Sequence, residues 1–192
     1  MAEGLGRALE GFWRSSAIAA LLAAVVVGVL LRKVPARRFR RLGWWLPIVA
    51  AVCWGTFAIV MLWAFWESYY SGFYAPWSRW AAPSAALVYG LAALGMRWLA
   101  VRLPGHPTLN FCLLGGVESE LEHLFGIYRL RILETVPSLR GVTIAEVLVF
   151  AFFEYVIYWG IVLGLAALLR GGWEAWSRRR RAARSTEPGA QA

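Results

Sequence analysis

TLNFCLLGGVESELEHLFGIY, residues 108–128, is apolar at both ends and acidic in its middle: Glu118, Glu120, Glu122 and His123 stand between 109–117 and 124–128. A helix crosses roughly 30 Å of hydrocarbon with about 20 apolar residues. The length of this segment fits a membrane span while its charges argue against one. The other reading is an amphipathic helix lying at the interface with its acids in water. The choice sets the architecture of the whole chain.

The surroundings favour a span. Of 192 residues, 60% are apolar and 16% charged, and mean hydropathy is +0.56. A soluble domain carries about 45 to 50% apolar and about 25% charged residues, so the composition argues against a water-soluble globular domain. Disorder is excluded too, because disordered chains lack the Trp, Phe, Leu and Val abundant here. Four further stretches are long and apolar enough to cross: 15–31, 44–66, 80–101 with Arg97 near its end, and 142–169 with two glutamates. Tryptophans at several ends suit the interfacial aromatic belt.

Cytoplasmic loops of membrane proteins are enriched in Lys and Arg, which gives an independent vote on span number. With 108–128 crossing and the amino terminus outside, fourteen of the twenty bases lie inside and six outside; without it the division is eleven to nine. Five spans explain the charges better. The expected fold is an all-α, polytopic membrane helical bundle of about five transmembrane helices, four apolar and one polar, with Gly115 and Gly116 marking a bend or break in the polar one. Membrane helices tolerate such breaks where protein shelters the backbone. Residues 1–169 form a single membrane-embedded domain and 170–192 a basic polar tail. The expected location is the cell membrane, with the amino terminus outside and the carboxy terminus cytoplasmic. The first apolar stretch reads as a retained helix rather than a signal peptide, because its basic block follows the apolar core and no small-residue cleavage site comes after it.

Acids in the middle of a span cost about 2.5 to 3.5 kcal/mol each and mark functional sites by default. At 3.6 residues per turn, Glu118 and Glu122 share a face while Glu120 points nearly opposite, with His123 beside it. Glu154 lies near the middle of the last span, and antiparallel packing sets it level with Glu118. Two carboxylates at one depth repel unless a proton or cation lies between them. Glu118, Glu122 and Glu154 are therefore the expected acid-base residues. Glu120 and His123 satisfy Glu-x-x-His, the helical spacing of carboxylate-bridged metal proteins, which points to a divalent metal ion as cofactor. Glu146 and Glu67 read as ordinary interfacial glutamates that could extend an acidic path outward, and His106 falls in an inner loop.

No phosphate-cradling loop, zinc-protease helix or serine elbow is present. Cys53 and Cys112 lie in apolar stretches and read as buried small hydrophobes. Three functions remain: proton or metal-cation binding and translocation, an intramembrane enzyme using acid-base or metal chemistry on a lipid-like substrate, and a structural subunit of a membrane complex. The expected partners are membrane lipids and either further copies of the chain or a larger complex. Basic residues beside spans set topology and touch anionic lipid, so nucleic acid is not expected.

Overall fold

Pro35, Gly43, Pro107 and Gly141 punctuate the chain. A computed structural model describes residues 2–65, 78–135 and 141–185, and every regular element among them is helical, with no strand. The elements are α1 (Ala2–Lys33), α2 (Ala36–Arg41), α3 (Trp45–Phe65), α4 (Ser78–Ala100), α5 (Pro107–Leu130), α6 (Ile132–Thr135) and α7 (Ile144–Ser185).

Each boundary has a local cause. Pro35 disfavours helical geometry at Val34, which ends α1, and Gly43 takes φ +56°, a left-handed turn that brings the chain into α3. His106 caps α5: its Nδ1 accepts from the Thr108 N–H at 3.3 Å, and Pro107 fills the first turn, where no N–H is needed. α7 opens on a capping box, with the Thr143 N–H donating to Glu146 Oε2 at 2.8 Å and the Glu146 N–H donating to Thr143 Oγ1 at 3.3 Å.

Small residues decide how the helices pair. α3 and α4 are antiparallel: Gly55 lies against Ala82 and Ala86, and Gly90 against Pro47 and Ala51. Ala51/Gly55 and Ala86/Gly90 are thus two small-xxx-small pairs that bring the backbones together. α1 and α7 run parallel, with Val26 and Leu30 seated on Gly160 and Leu30 on Gly164. α5 runs antiparallel to α7, its Gly115 under the Trp159 ring and its Gly116 under Phe152. α5 is one continuous helix. The helix does not break at Gly115 and Gly116, where the glycines make room for rings.

One end of the bundle is tied by side chains donating to carbonyls. Thr108 Oγ1 donates to Val34 O at 2.7 Å, Arg38 to Lys33 O and Ala167 O at 3.0 Å each, and Arg97 to Arg40 O at 3.0 Å. Asn110 reaches three carbonyls of the α4–α5 connection. Phe39, Leu42, Leu46, Phe111, Trp159 and Leu163 are fully buried beside or below this knot.

Two helices contain stretches long and apolar enough to cross a membrane, Trp13–Lys33 and Ile144–Ala182, and Trp45–Val60 is a shorter apolar helix. They suggest membrane association. α7 has 42 residues, about 63 Å at 1.5 Å per residue, roughly twice a hydrocarbon core. The expected boundary at residue 169 falls inside this helix, so the described part of the basic tail is an extension of α7.

Candidate functional site

α5 carries the acids and α7 meets them with aromatic rings. Trp159 Nε1 donates to Glu118 Oε2 at 3.3 Å, and Tyr155 Oη, one turn back along α7, donates to Glu122 Oε2 at 2.9 Å. Tyr89 Oη of α4 donates to the same Glu122 oxygen at 2.6 Å. Two hydroxyls from two different helices thus reach one carboxylate oxygen. Glu118, one helical turn away, holds only the longer indole bond among the described residues. The pair is unequal in its donors, and two negative charges there would face each other across one turn.

Aromatic packing holds the donors in place. Trp54 of α3 stacks on Tyr89 with ring centroids 4.1 Å apart and planes 13° from parallel, and it also meets Tyr155 and Tyr158. Trp159, fully buried, lies between Trp54 at 5.9 Å and Phe111 at 5.6 Å. Four helices therefore converge on Glu118 and Glu122. The Trp54 indole N–H is buried without a hydrogen-bond partner.

The other candidates are placed as follows. Glu154 Oε1 accepts from Tyr158 Oη at 2.6 Å on its own helix. The register that levels Glu118 with Trp159 puts Glu154 five residues, about 7 Å, farther along α7. The expected pairing of Glu118 with Glu154 is thereby corrected: Gly115 admits the Trp159 ring, which locks the helices at that register, and the carboxylate sharing a face with Glu118 is Glu122. His123 Nδ1 donates to Ser119 O at 2.9 Å within α5, and its ring stands edge-on to Tyr155. Glu120 is half-buried within electrostatic reach of His123. Among the described residues no group of three or more His, Cys, Asp or Glu stands together as a metal site requires, so Glu120 and His123 form a pair without further ligands. Glu146, 2% exposed, is the capping acid of α7, and its Oε1 has no partner among the described residues. Glu67 lies outside the described residues.

Sequence reasoning missed Tyr89, Trp54 and Trp159. The signal was there: these aromatic residues lie in the middle of apolar stretches, away from the stretch ends that suit an interfacial aromatic belt. It also missed Gly160-Ile-Val-Leu-Gly164, a GxxxG in an apolar helix.

No protein-family model matches this chain, and neither a curated protein nor a solved structure is significantly similar to it.

Proposed function

We propose that this chain is a five-span membrane protein, amino terminus outside and carboxy terminus cytoplasmic, whose Glu118/Glu122 pair binds and passes a proton where α4, α5 and α7 meet. The observation that carries the reading is the convergence of Tyr89 and Tyr155 hydroxyls on Glu122, one turn from a second carboxylate with a single indole donor. A proton taken up between two such groups relieves their repulsion and needs no further ligand. A metal ion needs more donors than Glu120 and His123 supply, which favours the proton over the metal cation.

The crossing of α5 is supported by its outer face. Leu113, Val117, Leu121 and Phe125, spaced four apart, are all exposed, whereas the acids at 118 and 122 bond to neighbouring helices. An interfacial helix would turn its acids to water and bury that stripe. Helices α3, α4, α5 and α7 alternate in direction, and α1 runs parallel to α7, so the basic ends meet on one side. Fourteen described bases gather there: six in 32–41, Arg97, Arg102, Arg170, the run 178–181 and Arg184. The positive-inside rule makes that side cytoplasmic.

The test is proton flux into vesicles carrying a pH-sensitive dye, driven by a potassium diffusion potential. Wild type conducts, Glu118→Gln and Glu122→Gln each abolish flux, and Glu120→Gln leaves it unchanged. Wild-type flux no greater than that of empty vesicles, or wild-type flux retained by both Glu118→Gln and Glu122→Gln, refutes the proposal.

A further inference from the structure

We propose that the groove between the start of α3 and the cytoplasmic extension of α7 is a binding site for one anionic phospholipid, its acyl chain in the groove and its phosphodiester among the arginines. The inference goes beyond the proton site, sharing with it only the membrane setting. The groove has a volume of about 460 Å³ and is lined by Trp45, Leu168, Leu169, Gly172, Trp173 and Trp176, within the range of small-molecule sites. It is apolar throughout and begins where the apolar part of α7 gives way to the arginines.

Three observations point to this occupant. First, the lining is open: Leu168 is 69% exposed, Trp173 54% and Trp176 48%, and a Cβ added at Gly172 would meet nothing within 4 Å. Second, the rings are ordered around the groove, Trp173 lying 6.3 Å from Trp45 and 5.0 Å from Trp176, with the Arg180 guanidinium over the Trp176 ring at 5.0 Å. Third, the rim is strongly one-signed. Glu174 is the single acid among the described residues of this end, and it is already paired with Arg170 at 2.8 Å, with Arg41 and Arg178 within reach of its charge. An apolar slot at the end where fourteen described bases gather complements a molecule with a long apolar chain and an anionic head. A zwitterionic lipid satisfies the slot but not the rim.

The site is tested on the full-length protein in neutral detergent, with bound lipid counted by native mass spectrometry after incubation with dioleoyl phosphatidylglycerol or dioleoyl phosphatidylcholine. Phosphatidylglycerol is expected to be retained about tenfold better, since each base near the headgroup adds roughly 1 kcal/mol. Gly172→Phe fills the groove without altering any charge and lowers retention about tenfold. Trp173→Ala, which removes a wall at a half-exposed position, lowers it as well. The triple variant Arg41→Gln, Arg178→Gln, Arg179→Gln retains phosphatidylglycerol only as well as phosphatidylcholine. Equal retention of the two lipids by wild type overturns the proposal, as does wild-type binding by both Gly172→Phe and Trp173→Ala. Displacement of the lipid by inorganic phosphate would assign the rim to a free anion, and displacement by duplex DNA to nucleic acid; either result also overturns it.

Discussion

Two faces of α7, one residue apart, solve the same packing problem in opposite ways. At Gly160 and Gly164 the glycines belong to α7 and receive the aliphatic side chains of Val26 and Leu30 from α1. At Trp159 and Phe152 the rings belong to α7 and the glycines, Gly115 and Gly116, to α5. The first seam is wholly apolar. In the second, the rings that fill the glycine hollows sit beside donors to Glu118 and Glu122, so packing and chemistry share the same side chains. Under the membrane reading proposed above, lipid tails as apolar as leucine supply no hydrophobic drive to either seam, which leaves close packing and interhelical hydrogen bonds to hold them.

Removing the shared residue tests this contrast most severely. Trp159→Ala empties a fully buried site that touches three helices, and is expected to cost about 3 to 5 kcal/mol, read as a large fall in melting temperature in detergent. It should also free Glu118 of its indole donor. Gly115→Ala comes next, at about 3 kcal/mol, because the new Cβ would fall within the Trp159 ring. In a double-mutant cycle the two changes are expected to be strongly non-additive, since removal of the ring vacates the space the methyl needs; additivity would show that the seam repacks elsewhere.

The hydrogen bonds rank third. Tyr89→Phe and Tyr155→Phe each remove a hydroxyl from Glu122, an interaction worth about 1.5 to 3 kcal/mol when the acceptor is charged. Their effect should shrink in a Glu122→Gln background, and equal losses in both backgrounds would separate the tyrosines from the acid. On the apolar seam, Gly160→Ala places a methyl 2.6 Å from Val26 Cγ1. About 1 kcal/mol is expected, because the gain in helix propensity offsets part of the clash, and Val26→Ala should restore it. Smallest is Gly28→Ala on α1, where a methyl meets nothing within 4 Å. It should stabilise by about 0.5 to 1 kcal/mol from propensity alone; a loss there would mean that this face of α1 is covered.

Much of the architecture was legible in the letters. The five stretches 15–31, 44–66, 80–101, 108–128 and 142–169 coincide with α1, α3, α4, α5 and α7 to within a few residues at most of their ends. The exceptions are α1 and α7, which run on past the apolar core into polar sequence, α1 before it and α7 after it. Hydropathy reports where apolar residues end and says nothing of where a helix does: Arg and Ala are good helix formers, so α7 continues through 178–181. The pairing of Glu118 with Glu122 on one face was also legible, since it follows from 3.6 residues per turn.

The sequence by itself therefore determined the helical class, the apolar exterior, the clustering of bases at alternate ends and the face shared by two acids. All of these depend on local periodicity or on solvent preference, which are carried by neighbouring residues. The tertiary structure decided the register of α5 on α7, and with it that Glu118 meets Trp159 instead of Glu154. It also decided that Tyr89, from a helix separate in sequence, completes the bonding of Glu122, and that Gly115 and Gly116 are hollows and not hinges. Those outcomes depend on whether one particular ring fits one particular gap between two backbones, and a gap exists only once both helices are in place.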